Sequence, residues 1–461
     1  MDNGSSVSSE RIPGYVRRIL ELLGSSGYKA YVAGGAVRDI VLGKPPHDYD
    51  VATSARPSET AAVFKTAGID FYDNAARHGT VAAVTGEGDV EVTTFREDGS
   101  YSDMRRPDEV VFKTTIEEDV RRRDFTINAM YMDSEGRIYD PVGGEKDCED
   151  RIIRAVGDPK ERFGEDALRI LRALRFCSSL GFDIESGTLS AMETCAGELK
   201  RISAERIAAE LIRIVTGRYA SKAIRTGWRI LSVIIPEIES CKDFDQRSVF
   251  HDMDVLEHTL YVLDLIPCPE GGREPEIAMA ALFHDLGKPE RFKLGDNGQG
   301  HMKGHPEASA RITERVLNEL KYPKQFINDV CVLVLLHDTF IKPDRIEVHK
   351  FMCAYPEELL RKLEVLQRAD IQAHTELGQR RMARLEELIG IAEELKASGA
   401  VFDIKELEID GNDIISLGVG EGPEIGRILA KVFNSYLEEK CVNTKDSLLK
   451  EARRIIGSDQ V

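Results

Sequence analysis

The sequence has no closely spaced cysteine pair and no long apolar segment. Its eight cysteines are scattered, with no Cys-x-x-Cys, which argues against a zinc ribbon or a disulfide framework and favours a reducing compartment. No apolar run is long enough to span a bilayer. The first ten residues, MDNGSSVSSE, lack the apolar segment of a secretory signal. We therefore expect a cytoplasmic protein with no membrane partner.

Positive charge is also scarce. The chain carries 62 Lys and Arg against 80 Asp and Glu, a net charge of −18, which argues against nonspecific coating of nucleic acid. Residues 151–230 are an exception, with 15 Lys and Arg and 10 Asp and Glu. A basic segment in an acidic chain favours contact with one defined nucleic acid, although a solvated helix surface gives the same local charge.

Hydrophobic periodicity predicts an α+β protein. The segments KAYVAGG and HDYDVAT are predicted strands, AVRDIVLG a short helix, and TVAAVT with DVEVTTF a hairpin around GEGD. Polar residues 96–109 form a predicted loop. From about Asp147 the apolar spacing becomes helical, as in EDALRILRALRF and over residues 376–408. An N-terminal α/β part is therefore followed by a long helical part.

A glycine pair marks a candidate phosphate-binding turn. Gly34 and Gly35 end a predicted strand and open a helix that carries Arg38. Backbone amides and a helix N-terminus at such a turn can bind a triphosphate, although most Gly-Gly turns are only turns.

Three acidic residues are candidate catalytic residues and magnesium ligands. Asp48 and Asp50 stand two apart in a predicted strand and should share one face. Paired carboxylates suit Mg²⁺, although an exposed polar strand also explains Asp-x-Asp alone. Glu91, in a strand expected beside them, offers a third carboxylate.

A basic triplet followed by polar residues forms the next candidate site. Arg122 and Arg123 precede Asp124 and Asn128 in RRRDFTINAM. Arginines beside an acidic metal site can bind phosphate or ribose, whereas an isolated basic triplet is usually solvated.

These segments resemble the class II tRNA nucleotidyltransferases, the CCA-adding enzyme family. The resemblance covers residues 28–230 and rests on GGAVRD, DYD, HGTV, VEVTTFR, RRDFTINAM, DPVGG and EDALRILRALRF, in the order of the family. It implies a DNA polymerase beta-like head in which Asp48 and Asp50 hold Mg²⁺. It also implies that Gly35, Arg38 and Arg123 bind the incoming nucleotide. Gly34, Arg122 and Asn128, which lie beside them in the sequence, are further candidates for nucleotide binding.

The segment from Glu165 to Arg169 resembles the protein template of that family. If Asp166 and Arg169 share a helix face, their acceptor and donors can read the amine and adjacent acceptor of cytosine and adenine. Arg172 and Arg175 continue the row and are candidate phosphate ligands. A salt bridge between residues three apart is the alternative interpretation.

A second constellation resembles the HD phosphohydrolase superfamily, including LGK after His-Asp. Its six candidate metal ligands are His258, His284, Asp285, His305, His337 and Asp370. Imidazole with carboxylate suits Mn, Ni, Fe or Zn. In related tRNA nucleotidyltransferases such a domain is associated with phosphatase and 2′,3′-cyclic phosphodiesterase activity.

The resemblance divides the chain into five parts. We expect an N-terminal helix or extension at 1–27, a nucleotidyltransferase head at 28–146, an all-α neck with the template helix at 147–240, an HD domain at 241–375 and a helical tail at 376–461. The block DGNDIISLGVGEGPEIGRILAKV resembles the tail of bacterial members, which implies contact with the tRNA elbow. The sequence sets no oligomeric state.

The resemblance implies stepwise transfer of CMP, CMP and AMP from CTP and ATP to the 3′ end of tRNA. A CC-adding enzyme, an A-adding enzyme and a poly(A) polymerase are alternatives within the superfamily; the polar loop at 96–109 favours CCA or A addition. Alternatives of other classes are a nucleotide or cyclic phosphate hydrolase whose head only binds, and a non-catalytic RNA-binding protein. Intact Asp48, Asp50 and Arg123 argue against both.

Overall fold

The computed structural model describes residues 11–73, 76, 79–98 and 110–458. The chain divides into two compact units. The first comprises Met1–Ser240 with Cys268–Arg273 and Val316–Tyr322, and the second comprises Cys241–Pro267, Glu274–Arg315 and Pro323–Val461. The predicted α+β class is confirmed, because strands dominate the start of the first unit and helices the rest.

The first unit contains a seven-stranded mixed sheet among its described residues. Its strands in chain order are β1 (Ala30–Ala33), β2 (Asp50–Thr53), β3 (Asp70–Tyr72), β4 (Thr80–Val84), β5 (Asp89–Thr94), β8 (Tyr131–Met132) and β9 (Ile138–Tyr139). Their spatial order is β3-β4-β5-β2-β1-β8-β9, and β2 and β5 are parallel. Apolar side chains alternate along β4 and β5, where Val81 and Val92 are buried. The predicted hairpin of β4 and β5 is confirmed.

Three short strand pairs lie outside this sheet. They are β6 (Arg96–Asp98) with β7 (Val110–Phe112), β10 (Ile152–Ile153) with β11 (Asp183–Ile184), and β12 (Lys293–Leu294) with β13 (Gly300–His301). Residues 96–98 therefore belong to a strand, and the predicted loop at 96–109 was wrong there, because their backbone pairs with residues 110–112. Residues 99–109 lie outside the described part, as do residues 1–10 of the predicted N-terminal extension and His78 of the HGTV motif.

Ten helices of the described chain precede residue 237. They are α1 (Gly14–Ser25), α2 (Gly35–Val41), α3 (Pro57–Ala67), α4 (Ile116–Asp119), α5 (Gly144–Asp150), α6 (Pro159–Glu165), α7 (Leu168–Leu180), α8 (Ser186–Cys195), α9 (Ala204–Thr216) and α10 (Ala220–Leu231). Short 3₁₀ turns lie at Val120–Arg122, Thr126–Asn128 and Ala196–Arg201. The predicted continuous helix EDALRILRALRF was wrong at its start, because α6 ends at Glu165 and Asp166 has extended backbone angles.

The helices that follow are α11 (Glu237–Cys241), α12 (Val255–Leu265), α13 (Pro275–Phe283), α14 (Lys288–Arg291), α15 (His305–Glu319), α16 (Lys324–Leu336), α17 (Arg345–Ala354), α18 (Glu357–Gln372), α19 (Glu376–Gln379), α20 (Arg381–Ala397), α21 (Gly411–Ser416), α22 (Pro423–Leu437) and α23 (Lys445–Ser458). Seven consecutive residues of α13, from Ile277 to Phe283, are buried, which makes it the central helix of the second unit.

Two predictions for the tail have different outcomes. The single helix expected over 376–408 was wrong, because α19 and α20 are separate and a 3₁₀ turn follows at Ile404–Glu406. The Gly-rich turn between helices is confirmed, since SLGVGEG lies between α21 and α22. The end of the tail has its own core, which includes Ile414, Val432 and Leu448. No helix among the described residues is long and apolar enough to cross a membrane.

Candidate functional site

Asp50 and Glu91 lie side by side on two adjacent strands of the sheet. Glu91 of β5 is the register partner of Asp50, the first residue of β2. Neighbouring parallel strands are about 4.8 Å apart, and paired residues share a face, so the two carboxylates lie together. Both residues are exposed. The sequence prediction that Glu91 lies beside the aspartates agrees with this arrangement.

Asp48 precedes β2, so its placement within a strand was wrong. Tyr49 between the two aspartates is 7% exposed, and its hydroxyl donates to the Arg11 carbonyl oxygen at 3.0 Å. Burial of Tyr49 leaves Asp48 and Asp50 both exposed. The two aspartates therefore reach solvent on either side of an anchored tyrosine.

The electrostatics of these acids fit a divalent cation. Desolvation raises the pKa of Asp50 above its ordinary value, and the negative charges of Glu91 and Asp48 add to that rise, while Arg123 opposes it. A cation between Asp50 and its acidic neighbours would offset this repulsion and stabilise the charged carboxylate of Asp50. Their all-oxygen donor set is the one that Mg²⁺ prefers. The chain therefore has a candidate magnesium site at Asp48, Asp50 and Glu91.

Arg123 lies against the predicted glycine turn. Its Nη1 donates to the Asn128 carbonyl oxygen at 3.1 Å and its Nε to the Tyr131 hydroxyl at 2.8 Å. Gly34 has a φ of +74°, and a Cβ there would lie 3.2 Å from Arg123 Nη1. Gly34 is therefore required both by its backbone conformation and by the close approach of the guanidinium group.

Arg38 and Asn128 join the same group. Arg38 Nη1 donates to Asn128 Oδ1 at 2.8 Å, and its Nε donates to Asp39 Oδ1 at 2.9 Å. The structure thus brings together Gly34, Gly35, Arg38, Arg123 and Asn128, which the sequence singled out separately. A helix N-terminus and two guanidinium groups make this face of the head suitable for a triphosphate.

The buried carboxylate of Asp119 holds the arginines and was missed from the sequence. It accepts from Arg122 Nε at 2.7 Å, Arg123 Nη2 at 3.2 Å and the Tyr131 hydroxyl at 2.7 Å. Although burial alone would raise the pKa of Asp119, the two arginines and Tyr131 lower it to about 2. The only sequence signal is its position three and four residues before Arg122 and Arg123.

We expect Asp119→Asn to lower the free energy of unfolding by about 3 kcal/mol, because it leaves two largely buried arginines without their anion. Urea unfolding measures this change, with Glu117→Gln on the exposed face of the same helix as the control. Since the pKa of Asp119 is depressed in the folded state, the difference should be full above pH 4 and fall as the pH approaches about 2. Equal stability of both variants would contradict this role.

The two template candidates have separate partners. Asp166 precedes α7, where its Oδ1 accepts from the Leu168 amide at 3.0 Å and its Oδ2 from Arg206 Nη2 at 2.7 Å. Arg169 Nη1 donates to Glu165 Oε2 at 2.6 Å and its Nη2 to the Arg122 carbonyl oxygen at 2.8 Å. The shared helix face predicted for Asp166 and Arg169 was therefore wrong, because Asp166 lies outside the helix. The bond to Arg122 connects this segment with the arginine triplet.

The remaining two arginines of α7 also contact carboxylates. Arg172 Nε donates to Asp124 Oδ2 at 2.8 Å, and Arg175 Nε lies 3.3 Å from Glu210 Oε2. Burial lowers the pKa of Arg175 to about 10. Both guanidinium groups also lie over the Phe176 ring. Both arginines therefore have partners within the protein.

The six predicted ligands of the second constellation come together in the second unit; we call them the His–Asp cluster. Asp285 is their centre. Its Oδ2 lies 3.1 Å from His284 Nε2 and 3.5 Å from His258 Nε2. Its Oδ1 lies 3.3 Å from His305 Nε2 and 3.7 Å from His337 Nε2. Two ligands of one ion, each about 2.1 Å from it, are separated by such distances. The two oxygens of Asp285 thus face two groups of imidazoles.

Hydrogen bonds fix the orientation of three of these histidines. The Nδ1 atoms of His284, His305 and His337 lie 2.7–3.0 Å from backbone carbonyl oxygens of residues 281, 302 and 334. A carbonyl accepts the Nδ1 hydrogen and leaves the Nε2 lone pair free, as the hydrogen-bond partners of metal-bound histidines do. Asp370 Oδ1 lies 3.0 Å from His258 Nε2 and completes the set. All six side chains are buried.

Three further residues border the cluster and were missed from the sequence. Lys288, the lysine of LGK, places Nζ 2.6 Å from Asp285 Oδ2. The rings of His251 and His374 each pack against the ring of His258, edge-on for His251 and tilted for His374, with centroids 4.8 and 5.4 Å from that of His258. They lie in segments outside helices α12 and α18, so no periodic pattern marks them. His251, Lys288 and His374 line a cavity of about 510 Å³, as do four residues of the cluster, Asp285, His305, His337 and Asp370. Lys303 and Arg381 also line it.

The head and its family match define the class of protein. Residues 30–154 match the poly A polymerase head domain. Residues 181–242 match the probable RNA and SrmB-binding site of polymerase A, and residues 304–452 match the putative tRNA nucleotidyltransferase domain 2. The mixed sheet with acidic residues on its central strands β2 and β5, together with these matches, makes the chain a nucleotidyltransferase.

Similarity over the full length specifies the family. The chain is 31% identical to the CCA-adding enzyme of Leuconostoc mesenteroides over 443 residues, which are 95% of this chain and 96% of that enzyme. The CCA-adding enzyme of Oceanobacillus iheyensis is 48% identical over 210 residues, but these are only 45% of this chain and 51% of that enzyme. The crystal structure of the Bacillus stearothermophilus CCA-adding enzyme in complex with CTP superposes with a TM-score of 0.73 at 27% identity, covering 96% and 98% of the two chains. The chain belongs to the CCA-adding enzyme family.

Proposed function

We propose that this chain adds CCA to the 3′ end of tRNA, using CTP and ATP without a nucleic acid template. The observation that carries the proposal is the pairing of Asp50 with Glu91 across β2 and β5, beside a helix N-terminus bordered by Arg38 and Arg123. The tRNA 3′ oxygen bonds to the α-phosphorus, the bond to pyrophosphate breaks, and the hydroxyl proton passes to solvent. Extension of tRNA that lacks CCA tests this activity.

Asp48, Asp50 and Glu91 would hold Mg²⁺ at this site. When bound, it neutralises phosphate charge and favours attack by the 3′ hydroxyl. Arg38 and Arg123 would bind the triphosphate, because their guanidinium groups converge beside Gly34. Arg122 and Asn128 would hold these groups in place through Asp119 and Arg38.

Asp166 and Arg169 would read the base. Their donors and acceptors now bind Arg206 and Glu165, so a nucleobase would replace these partners. Arg172 and Arg175 would contribute positive charge beside the same helix. The bond between Arg169 and the Arg122 backbone, 2.8 Å long, supports this placement because it links the template segment to the nucleotide-binding arginines.

We expect Asp166→Ala to relax discrimination against UTP and GTP by about 1–3 kcal/mol, because one base-reading acceptor is lost. The ratios of kcat/KM for CTP, ATP, UTP and GTP on one tRNA measure this. Glu161→Ala, on the exposed face of α6, is the matched control. Arg206→Ala tests whether Asp166 acts only by anchoring α7. If both Asp166→Ala and Arg206→Ala slow addition without changing selectivity, Asp166 is structural.

We propose the domain boundaries that the sequence analysis predicts. The match of residues 30–154 to a head domain supports a head at 28–146, and α6 to α10 fit a neck at 147–240. The His–Asp cluster supports a metal-binding domain at 241–375, and the separate core around Ile414 and Leu448 supports a tail at 376–461 that contacts tRNA. A tRNA substrate and a reducing environment for eight free cysteines favour the cytoplasm.

We also propose a hydrolase activity for the His–Asp cluster. The observation that favours it is the division of Asp285 between two imidazole groups, with Oδ2 facing His258 and His284 and Oδ1 facing His305 and His337. Such a mixed nitrogen and oxygen donor set suits Mn, Ni, Fe or Zn. A metal held there by these residues would activate water at neutral pH.

The substrate class of this activity follows from the cavity. Lys288, Lys303 and Arg381 line it beside the acids Asp285, Glu307, Asp338 and Asp370. A metal held by the cluster, together with these cations, would favour an anion such as a phosphate ester. In a 2′,3′-cyclic phosphate, the water oxygen would bond to phosphorus, one ring P–O bond would break, and the released oxygen would take up a proton. Cyclic and phosphorylated ends block the 3′ hydroxyl that the head extends. The two sites would then act in sequence on one RNA end.

A further inference from the structure

A third group of potential ligands lies beside the His–Asp cluster. One ring nitrogen from each of His251, His258 and His374 lies within 4.8 Å of the others. Their ring centroids are 4.4 to 5.4 Å apart. Of these three histidines, only His258 is also one of the six residues of the His–Asp cluster. The group contains no carboxylate, which distinguishes it from the groups around Asp285.

Each of these three histidines has one ring nitrogen without a hydrogen-bond partner. Within the described chain, Nδ1 of His251, His258 and His374 is buried without a hydrogen-bond partner. His258 is fully buried and His374 is 8% exposed. A buried polar atom without a partner costs about 1–3 kcal/mol. Three such atoms, on three residues that each bring a ring nitrogen within 4.8 Å of the others, favour a shared ligand. By contrast, Nδ1 of His284, His305 and His337 is held by a backbone carbonyl.

Neighbouring contacts hold His251 and His374, the two histidines of this group that do not belong to the His–Asp cluster. The Thr375 amide donates to the Phe250 carbonyl oxygen at 3.0 Å, and the Thr375 hydroxyl donates to that of Val249 at 2.9 Å. These bonds join the segments that carry His251 and His374. A Cβ at Gly378 would lie 2.5 Å from the Cβ of His374, so glycine there allows the imidazole its position. The group is therefore held by contacts on both sides.

We propose that His251, His258 and His374 form a third metal position, made of imidazoles alone and open to the cavity. His258 donates Nε2–H to, or shares a cation with, Asp370, and its Nδ1 is left for this position. Imidazole donors suit Zn, Cu, Fe or Ni, whereas Mg and Mn favour carboxylate oxygens. The position should therefore bind Zn²⁺ and discriminate against Mg²⁺. This inference rests on the proposed His–Asp metal centre.

Metal content of the full-length chain tests the proposal. After removal of metals with a chelator, the unaltered chain and a His251→Ala, His374→Ala double variant are equilibrated with Zn²⁺ and measured by plasma mass spectrometry. We expect the double variant to bind one equivalent less Zn²⁺. His349→Ala is the matched control, because His349 is also buried in the second unit but its Nε2 donates to the Val401 carbonyl oxygen, 2.8 Å away. Equal Zn²⁺ content of the double variant and the unaltered chain would overturn the proposal.

Two further measurements separate the possible failures. A His284→Ala, Asp285→Ala variant reports on the cluster itself; if it loses Zn²⁺ while the His251, His374 variant loses none, only the third position fails. If the unaltered chain binds no Zn²⁺ beyond the head site, both proposals fail. Anomalous diffraction from Zn²⁺-soaked crystals of the unaltered chain needs no variant. A peak among the three imidazoles supports the position, and a water molecule there overturns it.

Discussion

Asp50→Asn is expected to lower nucleotide addition by on the order of 10³-fold or more, since the loss of a ligand removes several kcal/mol of transition-state stabilisation. Binding of tRNA should stay close to that of the unaltered chain, because the substitution removes a negative charge and no proposed tRNA contact. Single-turnover incorporation of CMP and AMP measures the first quantity, and filter binding of labelled tRNA measures the second.

Asp89→Asn is the matched control for Asp50→Asn. Asp89 is an exposed acid of β5, two residues before Glu91 and on the same face of the sheet. It should retain nearly full addition. Addition by Asp50→Asn above a few per cent of the parent rate would remove Asp50 from the metal site. Equal losses in Asp50→Asn and Asp89→Asn would indicate a general effect of charge on this face.

The His284→Ala, Asp285→Ala variant is expected to lose hydrolysis of 2′,3′-cyclic ends while retaining addition to an intact 3′ hydroxyl. Asp285 supplies oxygens to both imidazole groups, so its loss disrupts the whole cluster. The acids of the head lie in the other unit. Ring-opened product and free phosphate are measured with cyclic-ended tRNA and with 2′,3′-cyclic AMP, supplying Mn²⁺, Ni²⁺, Fe²⁺ and Mg²⁺ separately.

His349→Ala again serves as the control for a buried histidine outside the cluster. It should leave both activities in place. Hydrolysis that persists in the His284→Ala, Asp285→Ala variant would contradict the role of the cluster. If the unaltered chain hydrolyses neither substrate with any of the four metals, the hydrolase proposal fails and the nucleotidyltransferase proposal stands.

The sheet and the pairing of Asp50 with Glu91 on its central strands could be predicted from the sequence because local patterns determine them. Alternation along β4 and β5 defines their buried face, and the turn GEGD defines their pairing. Asp50 and Glu91 are expected to lie close together once β2 and β5 are placed side by side. The order of histidines and aspartates was likewise sufficient to group the His–Asp cluster, although 112 residues separate His258 from Asp370.

Errors arose where a tertiary contact overrides a local pattern. Helical periodicity continues through Asp166, but its carboxylate binds Arg206, 40 residues away, and the amide of Leu168, and the helix is interrupted there. Asp119 was missed because an acid near arginines is common on exposed helices, and only its burial makes it an anchor. His251 and His374 lie outside regular helices, so spacing carries no signal for them.

Incubation of the purified chain with tRNA that lacks its CCA end, and with labelled CTP, ATP, UTP and GTP singly and in pairs, tests CCA synthesis by this chain. We expect two CMP additions from CTP alone, completion to CCA when ATP is also present, and little use of UTP or GTP. No addition under any combination would contradict a catalytic head. Repeated addition of AMP, CMP addition without a final AMP, or AMP addition only to ends that already carry CC would contradict CCA synthesis by this chain.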